Sequence, residues 1–300
     1  MTSAYIAVST VDEAIAVMAE GARPVAGGTD LVVGARQGKA ALPESIVAIH
    51  RIDELHGIEA MDDVLRMGAL ASHEEIAGHA TVRERLTALA DASAIVGSHA
   101  TRAQGTLGGN VMNVSPAMET GGPLLCFDAT VTLHGPSGVR WVSLADLFAG
   151  PGQTTAHPDE LLTAVDVPLP PTGTGSCYVR LEYRQQMEIA VVGATAVVAF
   201  DDGKIADARI AITALAPTIR RVPEAEEALV GTDGGRDAAS AAAQAAAAAA
   251  EPISDVRASV EYRRAMAAVI TRRAIEAAVR RAWGEAVPVP ASPALHGGLS

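Results

Sequence analysis

Polar and apolar positions along the first forty residues predict a short helix, an extended stretch and a second helix. The segment STVDEAIAVMAEGA (Ser9 to Ala22) reads as one short helix, with Thr10 as N-cap, Glu13 as its capping-box partner and Gly21 as the stop. RPVA from Arg23 is extended, Gly27 and Gly28 turn the chain, and a helix follows at Leu31. A strand leading through glycines into a helix start places free backbone N–H groups and the positive end of the helix dipole together, which favours an anion. Glycine suits the turn because a Cβ would obstruct positive φ and close approach of the backbone to a ligand. The first loop therefore reads as a phosphate cradle.

Further along, SIVAIHRI (from Ser45) and DDVLRMGAL (from Asp62) have strand composition, SHEEIAGH (from Ser72) repeats a capping box, and Thr81 to Ala94 reads as one longer helix. The run from Ile95 to Glu119, rich in Gly, Ser, Thr and Asn, is too long for a simple turn and contains a second double glycine in TLGGN (Thr106 to Asn110). Long ordered loops of this kind carry function. Strands ATVTLHG, VRWVSL and LLTAVDVPLPP follow, and the prolines at 168, 170 and 171 mark a boundary, so that a new unit begins near Thr172. There AVVGATAVVAF and IADARIAITAL flank Asp202-Gly203, a strong hairpin signal. Helices then come from the alanine-rich run Ala238 to Ala250 and from Ser254 to Trp283, and PVPASPALHGGLS is expected to be a flexible tail.

Length changes the picture first: 300 residues suggest two or three domains, and 49% hydrophobic residues suffice for a sizeable core. Aromatics at 3% argue against a stacking surface for bases, and a net charge of −12 argues against nucleic acid or an anionic membrane. An anionic ligand has to be held by local dipoles. Cys126 and Cys177, both expected in or beside strands, have no zinc or iron–sulfur spacing and read as small buried hydrophobes in a reducing, cytoplasmic chain. The N-terminal stretch lacks signal-peptide character, and no apolar run reaches spanning length.

Several motifs fail on inspection. There is no GxGxxG for a Rossmann fold and no GxSxG elbow. GARQGKA at Gly34 imitates a Walker loop with wrong spacing and with Ala40 in place of Ser or Thr. His73-Glu74 begins like a zinc-protease helix, but position 77 is Ala77. Asn113-Val114-Ser115 is a sequon followed by Pro116, and glycosylation is not expected there.

Four blocks together, VAGGTDL from Val25, TLGGNVMNVSPAME from Thr106, GPGQT…DELLTAVDVPLP from Gly150 and SDVRASVEYRR from Ser254, resemble the FAD-binding medium subunit of the molybdenum hydroxylases, the carbon-monoxide dehydrogenase and xanthine dehydrogenase family. The likeness runs from about Tyr5 to Trp283. It implies an α+β protein: a two-part FAD-binding region (residues 1–55 and 56–171), a C-terminal domain of a sheet with helices (172–286), and the tail (287–300). It also implies FAD in the cleft between the first two parts, wrapped by Ala26, Gly27, Gly28, Thr29 and Asp30, with Leu31 following, and by Thr106, Gly108, Gly109 and Asn110. Backbone N–H groups and short polar side chains of both glycine loops are expected to hold the pyrophosphate and ribityl chain. Thr29-Asp30 stands where many relatives have His-Ser. Glu119 takes the place of a carboxylate that holds a cofactor hydroxyl, with Ser115 nearby; Leu161 or Leu162 packs on the ring system, Arg180 lies near the flavin, and Thr101 and Arg102 serve the cofactor or cap a helix.

By the same resemblance, the subunit needs no acid, base or nucleophile of its own, because the flavin carries the chemistry. A large molybdopterin subunit oxidises the substrate, a small subunit with two [2Fe-2S] clusters relays electrons, and the whole is a dimer of heterotrimers. The substrate (carbon monoxide, an aldehyde or a heteroaromatic) and the acceptor (quinone, oxygen or nicotinamide) stay open. The alternatives are a self-contained FAD oxidoreductase or flavin module without partners, and a non-catalytic adaptor with structural glycine loops.

Overall fold

The structure is a computed structural model that describes residues 4–38, 40–184 and 186–297. The first layer is a parallel sheet in the order β1-β3-β2, made of β1 (Ala4–Ala7), β2 (Arg23–Val25) and β3 (Ser45–Ala48), with α1 (Val11–Ala19) and α2 (Thr29–Arg36) as its connections. Both halves of the capping box form at α1: Thr10 Oγ1 accepts from the Glu13 N–H, and Glu13 Oε2 accepts from the Thr10 N–H. Val11, Ala14, Ile15 and Met18 are buried, one helical face against Val47, Ile49 and Ile52.

The second layer is a five-stranded antiparallel sheet, β4 (Ile58–Met61), β5 (Val64–Gly68), β6 (Thr130–Gly135), β7 (Gly138–Ser143) and β10 (Leu161–Pro168), in the order β4-β5-β10-β6-β7. Between β5 and β6 lie α3 (His73–Gly78), α4 (Ala80–Arg85), α5 (Thr87–Ala94), α6 (His99–Gln104), α7 (Leu107–Asn113) and α8 (Gly121–Cys126). After β7 come the single turn α9 (Leu144–Leu147) and the ribbon β8 (Phe148–Gly150) with β9 (Gln153–Thr154). Leu65, Met67, Val131, Leu133, Val165 and Val167 from the strands bury against Leu89, Leu107, Val111 and Leu124 from the helices.

Three local expectations differ here. The helix read as continuous from Thr81 to Ala94 breaks at Leu86, which leaves helical geometry (φ −121°, ψ 46°). The Ala88 N–H beyond the break donates to Ser176 Oγ at 3.0 Å, a cap supplied from 88 residues away and invisible locally. TLGGN, expected within a long loop from Ile95 to Glu119, is the start of α7 with Thr106 as N-cap, and α6 comes directly before it. Cys126 ends a helix rather than lying in or beside a strand.

The third layer is an antiparallel sheet in the order β11-β12-β13-β14, from β11 (Gly175–Leu181), β12 (Val192–Asp201), β13 (Lys204–Thr213) and β14 (Arg220–Arg221). Asp202 and Gly203 turn the β12–β13 hairpin at φ +46° and +75°, the left-handed pair such a turn requires. Alternation along β11 serves two cores: Cys177 and Val179 face the helices α11 (Arg236–Ala248) and α12 (Val260–Ala282), while Tyr178 joins the core of the second layer. Ala239, Ala242 and Ala246 of α11 repeat at helical spacing and are fully buried, so the alanine run is a packing face. The short α10 (Pro223–Glu227) precedes α11.

Residues 287–300, expected as a flexible tail, are docked as far as they are described. Ala291 and Ser292 are fully buried at the start of α13 (Ala291–Gly297). The Ala291 N–H donates to Asp91 Oδ1 at 3.0 Å, and Ser292 Oγ accepts the Arg180 N–H at 3.0 Å. Asp91, fully buried in α5, also takes the Tyr178 N–H and two hydrogen bonds from Arg281, so one carboxylate ties the second layer, β11, α12 and the C-terminal segment together. Prolines and glycines suggested mobility, but a buried acceptor 200 residues upstream decided otherwise.

Candidate functional site

The first and second layers enclose a cleft of about 1160 Å³, closed on one side by the β11–β12 connection and Arg257 of the third. That exceeds the roughly 300–1,000 Å³ of sites for drug-sized ligands. Of the residues expected at the site, Ala26, Gly27, Gly28, Thr29, Asp30, Leu31, Thr101, Thr106, Gly108, Gly109, Asn110, Ser115, Glu119, Leu161 and Leu162 all line it.

The two double-glycine segments meet because Gly27 lies directly on the end of α6. A Cβ there would stand 1.8 Å from the Gln104 carbonyl oxygen, so only glycine allows the contact. Gly28 follows at φ +68° as N-cap of α2, with no side chain capping that end. The first helical hydrogen bond runs from the Val32 N–H to the Gly28 carbonyl, and helix geometry leaves the preceding N–H groups of α2 without intrahelical partners. Asp30 sits in this first turn, where burial raises the pKa of its carboxyl.

The second segment behaves differently. The Leu107 and Gly108 N–H groups donate to the Ala71 and Ala69 carbonyls, and the Gly109 N–H to Thr106 Oγ1 at 3.1 Å. Of the two loops expected to offer backbone donors to a ligand, the second therefore has these N–H groups paired within the protein; at Gly108 the missing side chain permits close packing, a Cβ there meeting the Ala69 carbonyl at 2.7 Å. What the second segment presents is Asn110, whose Oδ1 accepts from the Thr120 hydroxyl at 2.7 Å, a bond that turns its NH₂ donors elsewhere.

Glu119 is buried, and its Oε1 accepts from Arg180 Nη1 at 2.6 Å. Burial raises the Glu119 pKa, and the guanidinium opposes that rise. Arg180 does not line the cleft. It is fully buried behind Glu119, also pairs with Glu182, and touches the lining through the Glu119 carboxylate and the Glu188 carbonyl; burial disfavours its charge, yet the surrounding carboxylates hold its pKa above the ordinary value. Thr101 stays in the lining, its N–H capped by Ser98 and its hydroxyl directed at Met187 Sδ, while Arg102 lies outside the lining and donates to the Val96 carbonyl. Ser115 Oγ accepts the Ala117 N–H. Leu161 and Leu162, both buried, form an apolar wall.

Lining residues that were not anticipated include His73, Arg184, Met187 and Arg257. His73 appeared in the sequence only as a failed zinc-protease start, and the other three come from the distant third layer. Among the described residues no group of His, Cys, Asp and Glu could hold a metal, and no helix is long and apolar enough to cross a membrane. Uncommitted donors at α2, a fixed Asn110, the Glu119 carboxylate and the leucine wall fit a ligand that is anionic in its middle, hydroxylated beside it and apolar at one end. FAD has those parts.

Comparison with known proteins agrees over most of the length. The family model for the FAD binding domain in molybdopterin dehydrogenase matches residues 1–170, and that for the CO dehydrogenase flavoprotein C-terminal domain matches residues 178–278. The carbon monoxide dehydrogenase medium chain of Afipia carboxidovorans is 34% identical over 88% of this chain and 91% of its own. The xanthine dehydrogenase FAD-binding subunit of Escherichia coli O157:H7 is 29% identical over 94% and 98%. Among solved structures, carbon monoxide dehydrogenase from Hydrogenophaga pseudoflava superposes with a TM-score of 0.90 at 32% identity, covering 94% of this chain and 98% of that one. Quinoline 2-oxidoreductase from Pseudomonas putida 86 reaches 0.88 at 28% identity, again over 94% and 98%. In both its FAD-binding and its C-terminal parts, the chain belongs to the FAD-binding subunit family of the molybdenum hydroxylases.

Proposed function

We propose that this chain is the FAD-carrying electron-transfer subunit of a molybdenum hydroxylase complex of the carbon-monoxide dehydrogenase type. The observation that carries the reading is the meeting of two glycine segments from two layers on one large cleft, at a helix end with free N–H groups. The α2 N-terminus binds the diphosphate through backbone donors, which a chain of net charge −12 needs in place of a favourable overall field. Asn110 and Glu119 orient the hydroxylated chain, Leu161 and Leu162 exclude water from one face of the ring, and Arg180 fixes the Glu119 carboxylate from behind. When bound, FAD supplies a redox centre able to accept and release two electrons. In this reading the electrons come from iron–sulfur clusters on a small partner subunit, substrate is oxidised on a large molybdopterin subunit, and the assembly is a dimer of heterotrimers. The same scaffold recurs in relatives named for carbon monoxide, xanthine and quinoline, which supports substrate choice residing in the large partner.

The test is an absorption spectrum of the chain purified alone and after co-expression with its partners, with the released chromophore identified and metals counted. FAD in both samples, with iron and molybdenum only in the second, is the expected result. A chain that takes up no flavin even on reconstitution refutes the assignment. Flavin reduction by substrate without iron or molybdenum favours a self-contained oxidoreductase.

A further inference from the structure

Among the described residues His73 is the one histidine buried in the cleft lining, and no hydrogen bond to its ring accounts for it there. It opens α3, and its backbone N–H donates to the Gly105 carbonyl at 3.1 Å, so the residue is anchored beside the glycine segments. The residue is 98% shielded, and Nδ1 is sealed from solvent without a hydrogen-bond partner. Because the ring still lines the cleft, it does so through the opposite edge, which carries Nε2 and Cδ2. Cδ2 lies 3.3 Å and Thr29 Oγ1 3.7 Å from the point where a Cβ on Gly105 would stand, so the imidazole and the first turn of α2 converge on one place.

We propose that His73 is a phosphate-binding residue of this cleft, a neutral imidazole whose Nε2–H donates to an oxygen of the diphosphate ester. The inference rests on the FAD reading above and adds to it a recognition group outside both glycine motifs. Tautomer physics supports the assignment. An orphaned buried N–H costs more than an orphaned lone pair, since unpaired acceptors are tolerated more often than unpaired donors, so the sealed Nδ1 takes the lone pair and Nε2 takes the proton. The ring then turns a donor toward the place where α2 turns its own. Burial, and after it the charge of Arg102, lower the His73 pKa to about 4, so the ring stays neutral at physiological pH. A neutral donor contributes a directed hydrogen bond to the anion without the desolvation cost of a second buried cation beside Arg102.

The experiment compares wild type, His73→Phe and His73→Gln as apoproteins at pH 7.5, measuring affinity for FAD, ADP and inorganic phosphate by calorimetry and thermal stability without ligand. The phenylalanine variant is expected to bind FAD and ADP about 10- to 100-fold more weakly, the effect of one hydrogen bond to a charged group, with Tm unchanged. His73→Gln, which keeps an N–H donor, should recover most of the loss. Equal FAD affinity in wild type and His73→Phe overturns the proposal, as does a loss that tracks a fall in Tm or one that glutamine does not recover. Inorganic phosphate binding as tightly as ADP, with the same sensitivity, overturns the diphosphate ester in favour of free phosphate. If wild type binds neither FAD nor ADP, the flavin reading falls together with this one, a result separable from a failure of His73 alone.

Discussion

Replacing Gly27 with alanine tests whether the contact between the glycine segments builds the site. The new Cβ would start 1.8 Å from the Gln104 carbonyl oxygen and 2.7 Å from its carbon, both backbone atoms that cannot swing aside. Ordinary contact requires the loops to part by more than about 1 Å, and overpacking of this kind costs about 1–3 kcal/mol. In the free protein the first loop relieves that strain by lifting off α6. Binding a ligand that spans both segments requires the original geometry, so the strain reappears as lost affinity, about 5- to 150-fold in Kd for FAD. Stability of the free protein should change much less. The control is Gly34→Ala in the same helix-turn segment, where a Cβ meets nothing within 4 Å. There alanine should leave affinity unchanged and stabilise α2 by about 0.5–1 kcal/mol. Calorimetric titration of both apoproteins with FAD, beside their Tm values, decides the matter. A Gly27→Ala protein that binds FAD within twofold of wild type would mean that the approach of the two segments does not shape the site.

Asp91→Ala strips the carboxylate partner from Arg281, leaving it only carbonyl acceptors, and leaves the Tyr178 and Ala291 N–H groups buried without an acceptor, so unfolding in urea should show a loss of about 3–5 kcal/mol. A chain ending at Pro290 loses the Ser292 hydroxyl that accepts from the buried Arg180 N–H and should be destabilised by about 1–3 kcal/mol; an unchanged Tm would mean the segment is idle after all. The depressed His73 pKa gives a pH signature. Between 6.5 and about 4 the unfolded chain takes up a proton that the folded chain refuses, so stability falls as pH falls through that window, by up to about 3 kcal/mol, and is constant below it. His73→Phe should remove that component from the wild-type profile, and superimposable profiles would show that the ring is not held neutral.

Much of the local structure is determined by near neighbours and was legible without the fold. The capping box of Thr10 and Glu13 and the Asp202-Gly203 hairpin each rest on interactions within four residues, and both form. The glycine segments could be recognised as candidate binding elements because positive φ and close backbone approach exclude other residue types. Their division of labour could not. Gly27 is glycine because of Gln104, and Gly108 because of Ala69, partners 77 and 39 positions away that only the folded chain brings near. The same holds for Arg180, which resembles a site residue in the sequence and lies one carboxylate behind the site in the fold.

The sequence by itself therefore determined the kind of elements, the class of ligand suggested by glycines before a helix, and the family through four blocks in order. Tertiary structure decided which donors are free, which carboxylate is paired, that His73 faces the cleft and that the last described residues are docked. The reason is physical: helix caps and turns are satisfied by neighbouring backbone, whereas burial, orphaned donors and shifted pKa values depend on what packs from elsewhere in the chain.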